Sequence, residues 1–198
     1  VLLASLVALL TLLFLWEEAE KRAATKTRNL ASAVDQALEN FVDRIDYALQ
    51  VSSDEFSRQM QRGALDAETI NSFLERQRAR LEYVDHLRGT DIDGDVRYGR
   101  TVSPPFPSVA DRRYFQQLRD NNIQGLVVSE PLIGKTSGDW IWLFARKITD
   151  SSGYFGGVVF GAIQTGDIVK LFEQLKLPPG MVLAVRDSEM RLIARTTF

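Results

Sequence analysis

The sequence contains no cysteine, and this absence removes several kinds of chemistry together. Without thiols the chain has no disulfide bond, no thiolate metal site and no cysteine nucleophile. Histidine is nearly absent too, since His86 is the one histidine among 198 residues. A lone histidine has no second histidine or cysteine with which to share a metal ion. We therefore expect a structural or surface role for His86, and neither a metal nor a cofactor in the protein.

Strong charge of either sign is also missing, because the formal net charge is −2 and the isoelectric point is about 5.5. Nucleic-acid binding depends on a basic field, so this composition disfavours it. There is no GxxxxGK[ST] phosphate-binding loop, and His86 has no serine and aspartate partners in a nucleophile-elbow context. We therefore predict that this segment is not an enzyme and has no catalytic residues.

Charge and helix breakers are absent from residues 1–16, which are apolar throughout. Sixteen residues rise about 24 Å as a helix, short of the roughly 30 Å hydrocarbon core of a bilayer. We therefore interpret residues 1–16 as part of a transmembrane helix that begins before this sequence. A signal peptide is the competing interpretation, but Glu17, Glu18 and Glu20 follow directly and no small-x-small cleavage site precedes them.

Proline and glycine are absent from residues 17–52. Apolar residues recur there at spacings of three and four: Leu30, Val34, Leu38, Phe41, Ile45 and Leu49. This pattern predicts one long amphipathic helix, about 50 Å in length. Its apolar stripe is wider than a strict coiled-coil seam, which favours packing on a sheet, with contacts in a homodimer nearer the membrane.

Local signals then mark the elements that follow. Ser52 and Glu55 form a capping-box pattern that predicts a restart of the helix, and Asp66 is a predicted N-cap after Gly63. Asp91 to Gly94 predicts a hairpin turn. The aspartates there do not fit a calcium-binding EF-hand loop, because glycine stands fourth from Asp91 and not sixth.

The second half of the chain has the composition of a sheet. Asp111 is a predicted N-cap of a helix through Asn121, and strands are predicted over residues 126–129, 140–148 and 156–164. Together with the hairpin near Asp91 they form a five-stranded antiparallel sheet. Because a long helix precedes this sheet, the predicted fold class is α+β.

One face of the strand over residues 140–148 carries a single arginine among aromatic and aliphatic residues. The alternate positions are Trp140, Trp142, Phe144, Arg146 and Ile148. Arg146 there either pairs with an acid such as Glu130 or Asp139, or anchors an anionic ligand through its guanidinium group. Residue types alone favour the structural pair.

The order of these features resembles the Cache family of PAS-like extracytoplasmic sensors. The segments that carry the resemblance are DRRYF at residues 111–115 and Gly138, Trp140 and Arg146 in the strand that follows. The resemblance implies a bacterial receptor in the inner membrane, with residues from about 17 onward in the periplasm or outside the cell. It also implies that a small molecule binds between the sheet and the segments that cover it.

Carried over by position, the resemblance implies six ligand-binding residues. Arg112, Tyr114 and Phe115 would line the covering segment, and Trp140 and Arg146 the sheet face, with Trp142 between them. An anionic ligand such as a carboxylate suits the two arginines. The alternative is that this lobe binds nothing and only dimerises or transmits a signal.

A second copy of the hairpin signature appears near the end of the sequence. Residues 87–100 align with residues 183–196, which places Asp187 where Asp91 stands. We therefore predict a lobe over residues 53–165, a connecting helix and linker over residues 166–180, and the start of a second, similar lobe over residues 181–198, as in double Cache sensors. The output module would be a diguanylate cyclase or a histidine kinase, with a chemoreceptor as the alternative.

Overall fold

A computed structural model describes residues 2–121, 123–135, 137–150, 152–173, 181–187 and 189–196. Its four helices are α1 (Leu2–Gln61), α2 (Ala67–Arg78), α3 (Arg113–Asp120) and α4 (Thr165–Glu173). Its eight strands are β1 (His86–Thr90), β2 (Val96–Tyr98), β3 (Val127–Val128), β4 (Leu132–Ile133), β5 (Trp140–Thr149), β6 (Phe155–Gln164), β7 (Ala184–Arg186) and β8 (Leu192–Arg195). Two compact units contain residues 1–41 and 42–198.

The first unit is helical and is the N-terminal part of α1. Its apolar side chains from Leu12 to Trp16 are each more than half exposed. Further along, Lys21 pairs with Glu17 at 2.6 Å and Arg22 with Glu18 at 2.5 Å, both one helical turn apart. Within the described part of the chain, no helix combines the length and the apolar character needed to cross a membrane.

The second unit contains the rest of α1, which lies on the sheet through its buried face. Ile45, Leu49 and Phe56 are almost completely buried. The predicted restart at Ser52 is wrong, because the helix continues without interruption to Gln61. The Ser52 hydroxyl donates to the carbonyl oxygen of Ala48, and so it does not cap a new helix.

Hydroxyl groups of α1 fix the helix to strand β5. Ser53 Oγ donates to the Lys147 carbonyl at 2.7 Å, and Ser57 Oγ donates to the Thr149 carbonyl at 2.6 Å. These two serines are one helical turn apart and reach the same strand end, so the axis of α1 follows the end of β5.

The antiparallel sheet has strand order β2-β1-β6-β5-β3, and β4 also pairs with β5. The predicted α+β class and the long helix leading into an antiparallel sheet are confirmed. The predicted count of five strands omits β4, which has only two residues and therefore no visible alternation of apolar and polar positions. Strands β7 and β8 form a separate two-stranded sheet.

Three hairpins in the described chain close with the same turn, which begins at Asp91, Asp150 or Asp187. In each, the aspartate N–H donates to the carbonyl oxygen four residues later at 2.9–3.0 Å. Its Oδ1 accepts from the N–H groups two and four residues later at 2.8–3.1 Å. The residue three positions on has a positive φ in every case: Gly94, Gly153 and Met190. The turn at Asp187 therefore repeats the hydrogen bonds of the turn at Asp91.

Candidate ligand-binding cavity

A cavity of about 470 Å³ lies on the face of the sheet whose side chains point away from α1. Its floor comes from alternate residues on three neighbouring strands, which project to one face. The antiparallel register places His86 opposite Ala162, and Ala162 opposite Leu143. The floor residues are His86 and Arg88 of β1, Phe160, Ala162 and Gln164 of β6, and Ile141 and Leu143 of β5.

Helix α3 and two irregular segments cover this floor. Tyr114 is 3% exposed, and its ring centroid lies 6.0 Å from that of Phe160 on the floor. The hydrophobic spacing of Tyr114, Phe115 and Leu118 turns one side of this short helix towards the sheet, where all three are buried. Arg112, at the N-cap of α3, lines the same cavity.

A strap over residues 132–137, as far as it is described, closes another side of the cavity. Arg112 Nη2 donates to the carbonyl oxygen of Ile133 at 2.9 Å. Lys135 Nζ donates to the carbonyl oxygen of Ser108 at 2.8 Å and to Asp111 Oδ1 at 2.5 Å. The predicted N-cap at Asp111 is therefore wrong, because its carboxylate binds Lys135 and α3 begins at Arg113 without a side-chain cap.

Charge in the cavity wall is unevenly distributed. Arg88, Arg112 and Lys135 are cations, and Asp85 is the one acid among the described lining residues. Asp85 Oδ2 accepts from Gln164 Nε2 at 3.1 Å. The hydrogen bond from Lys135 lowers the pKa of Asp111, so this pair is ionised near neutral pH.

Burial controls the protonation of the other groups in the wall. Partial burial lowers the pKa of His86, and the neighbouring charge of Arg88 lowers it further, which keeps the imidazole neutral near pH 7. Burial also raises the pKa of Tyr114, so its hydroxyl remains a neutral group. Arg88 is 7% exposed, and burial lowers its pKa. An arginine remains charged after such a shift because its ordinary pKa is above 12.

Arg112 and Tyr114 are the two predicted ligand-binding residues that the structure places in this cavity. Phe115, predicted beside them, lies in the hydrophobic core with no exposed surface. Its ring packs edge-on against Phe155, with centroids 5.5 Å apart. Phe115 therefore supports the cover without lining the cavity.

The three predicted residues of β5 do not line the cavity. Trp140, Trp142 and Arg146 project to the side of α1, because the cavity takes the odd-numbered positions Ile141 and Leu143. Trp142 Nε1 donates to the carbonyl oxygen of Ser129 at 3.1 Å, whereas Trp140 is 57% exposed. Arg146 pairs with Asp46 of α1 at 2.5 Å, and not with Glu130 or Asp139. The structure thus corrects the predicted position of these three side chains.

Arg88 and Lys135 are the cationic wall residues that the sequence interpretation missed. The pattern His86-Leu87-Arg88 alternates polar and apolar residues, as a strand with one face turned to a cavity does. In a strand of five residues that signal is too short to separate a ligand-facing arginine from a solvent-facing one. Lys135 belongs to an irregular loop, where no periodicity applies.

Comparisons with known proteins agree with this architecture. No protein-family model matches the sequence, and no curated protein matches it. Among solved structures, the extracellular domain of a histidine kinase, rpHK1S-Z16, is similar with 24% identity and a TM-score of 0.63, over 84% of this chain and 71% of that one.

Two chemoreceptor domains are similar as well. The ligand-binding domain of Campylobacter jejuni Tlp3, in complex with L-valine, has 12% identity and a TM-score of 0.65, over 84% of this chain and 68% of that one. The domain of Pseudomonas aeruginosa PAO1 PctC, in complex with GABA, has 14% identity and a TM-score of 0.62, over 84% and 73%. The chain has the fold of the extracellular sensor domains of histidine kinases and chemoreceptors, as its resemblance to the Cache family predicted.

Proposed function

We propose that this chain is the extracytoplasmic ligand-binding domain of a membrane-anchored bacterial receptor, and that a small molecule with a carboxylate group binds in the cavity beneath α3. The observation that carries this proposal is the position of Arg112. Its side chain lines a cavity of about 470 Å³, a volume suited to a small molecule, between a sheet floor and a helical cover.

Hydrogen bonding orients the Arg112 guanidinium group. Nη2 donates to the Ile133 carbonyl, which holds the planar group against the strap. The remaining N–H groups of an arginine form a fork that matches the two oxygens of a carboxylate. Apolar residues of the floor, including Leu143 and Phe160, provide a surface for the rest of the ligand.

Ligands of the similar structures support this chemistry. Tlp3 was solved with L-valine and isoleucine, and PctC with GABA. Each of these compounds is an amino acid with one carboxylate. Likeness at this level of identity establishes the fold alone, so the step from fold to ligand rests on Arg112 and the cavity.

The proposed signalling path begins at the sheet. Strand β5 provides Ile141 and Leu143 to the cavity floor and binds α1 through its opposite face. A ligand that favours one pose of the cover over the floor would bias the position of α1, and in a homodimer this bias would pass to the membrane.

Residues 1–16 would belong to the anchor, and a histidine kinase or diguanylate cyclase would be the output module. A chemoreceptor is the alternative.

Differential scanning fluorimetry with a panel of amino acids and short carboxylic acids tests the ligand class. A compound that binds only the folded protein raises its melting temperature by mass action. We expect at least one carboxylate to do so, and the substitution Arg112→Gln to weaken its binding by at least tenfold.

Arg113→Gln is the matched control, because Arg113 is the next residue but its side chain is 64% exposed and reaches Glu130. Binding by this variant should equal that of the unchanged protein. If no carboxylate binds, or if Arg112→Gln binds as tightly as Arg113→Gln, the proposed site is wrong.

A further inference from the structure

Arg88 gives the cavity a second guanidinium group, which is buried and belongs to the floor. It projects from the floor strand β1 and stands in register with Phe160 of β6, whereas Arg112 belongs to the cover. Arg88 is 7% exposed, and its neighbour two residues earlier, His86, lies in the exposed part of the wall. The Arg88 side chain therefore lines the cavity with little exposure to solvent.

Arg88 and Arg112 contribute most of the electrostatic potential in the cavity, because the other charged groups of the wall contribute little. Lys135 is neutralised by Asp111, with the two groups 2.5 Å apart. Asp85 is solvent-exposed and precedes Arg88 by three residues, about 10 Å along an extended chain. Solvent screens an exposed carboxylate over such a distance, but it screens a buried guanidinium much less. The part of the cavity lined by Arg88 thus carries a positive potential.

We infer that the cavity selects small molecules with two acidic groups, one bound by Arg112 of the cover and the other by Arg88 of the floor. This inference rests on the proposed function and narrows its ligand class. Dicarboxylic acids and acidic amino acids share this chemistry. The apolar lining residues Val96, Val109 and Phe160 suit the short methylene chain that joins the two groups.

A diacid and its own monoamide test this inference, since they have nearly the same size and differ by one charge. Isothermal titration would compare succinate, glutarate and adipate with succinamate, glutaramate and adipamate, on the unchanged protein. We expect the best diacid to bind at least tenfold more tightly than its monoamide. Glutamate compared with glutamine tests whether an additional amino group is accepted.

Substitutions then assign the preference to Arg88. Arg88→Gln should reduce the ratio of diacid to monoamide affinity to about one while leaving monoamide binding within about threefold. Arg88→Lys retains the charge and should preserve a preference for the diacid. Circular dichroism would establish that each variant is folded. If Arg88→Gln does not fold, the affinities of the unchanged protein for each diacid and its monoamide test the inference.

The outcomes separate this inference from the proposed function. If monoamides bind as tightly as diacids, or if folded Arg88→Gln keeps the preference, the role of Arg88 is wrong while the carboxylate site at Arg112 stands. If no mono- or dicarboxylic acid binds, both proposals are wrong.

Discussion

Arg146 of β5 and Asp46 of α1, which are 100 positions apart in the sequence, form a two-pronged ion pair. Nε donates to Oδ1 at 2.5 Å and Nη2 donates to Oδ2 at 2.8 Å, while Nη1 donates to the Gln124 carbonyl at 3.2 Å. The hydrogen bond to Asp46 raises the pKa of Arg146. The two side chains are only 17% and 28% exposed, so this pair is better shielded from water than an ordinary surface ion pair.

Substitution of Asp46 should destabilise the fold without affecting the cavity. Asp46→Ala leaves the largely buried Arg146 guanidinium without its carboxylate, which costs about 2 kcal/mol in the free energy of unfolding. Urea denaturation measures this loss. Asp43→Ala, an exposed position on the same helix, is the control and should stay within about 0.5 kcal/mol of the unchanged protein.

Substitution of Arg146 itself distinguishes the two roles considered for it. Because Arg146 faces α1, a ligand of the cavity should bind Arg146→Gln and the unchanged protein with equal affinity at a temperature where both are folded. A tenfold loss of affinity would instead place Arg146 in the ligand site.

His86 should make stability depend on pH just below neutrality. Its pKa in the folded protein is lower than the ordinary value of 6.5, because of burial and the charge of Arg88, partly offset by Asp85. Below pH 6.5 the unfolded chain therefore binds more protons than the folded one. Stability is complete above that pH and decreases as the pH falls towards the folded-state pKa.

The single histidine makes this measurement direct, since one imidazole Hε1 signal reports the titration by NMR. The midpoint should lie below 6.5. The loss of urea stability between pH 7.5 and 5.5 should be smaller in His86→Gln than in the unchanged protein. A midpoint above 6.5 would contradict the described environment of His86.

Replacement of Met190 by glycine should stabilise the folded protein. Its φ of +64° lies in the left-handed region, which costs a residue with a side chain about 1 kcal/mol, and the equivalent turn positions are Gly94 and Gly153. Glycine loses about 0.5 kcal/mol more backbone entropy on folding, so a net gain of about 0.5 kcal/mol is expected for Met190→Gly. The melting temperature should rise by about 1–2 °C.

Glu189→Gly is the control for this turn. Glu189 precedes Met190, and its N–H donates to Asp187 Oδ1, so glycine there brings the entropy loss without relieving the strain at Met190. It should lower the melting temperature. A decrease for Met190→Gly as well would show that the turn at Asp187 differs from the other two.

The sequence predicted the class of the fold because its signals are local. An unbroken apolar stripe, a turn at Asp91, and alternation along β5 each depend on a few neighbouring residues. Asp66 is a confirmed N-cap, since its carboxylate accepts from the N–H groups of Glu68 and Thr69. At Ser52 and Asp111 the same local reasoning failed, because Ala48 and Lys135 are the partners that their side chains find.

The cavity face of β5 could not be predicted from its alternation. The strand is buried on both faces over residues 141–145, so apolar residues occur at odd and even positions alike. Period two then groups Trp140, Trp142 and Arg146 correctly but does not say whether that group faces a helix or a ligand. Which of the two this face contacts depends on Asp46, whose contact with β5 exists only in the folded chain.

Strand β5 consequently serves two surfaces with ten residues. Its odd-numbered side chains Ile141 and Leu143 shape the chemistry of the cavity, and even-numbered Arg146 holds α1. Substitutions at odd positions can therefore change the lining of the cavity, while the attachment of the helix is preserved at even ones. The pleat of β5 thus keeps the side chains that line the cavity separate from the side chains that hold α1.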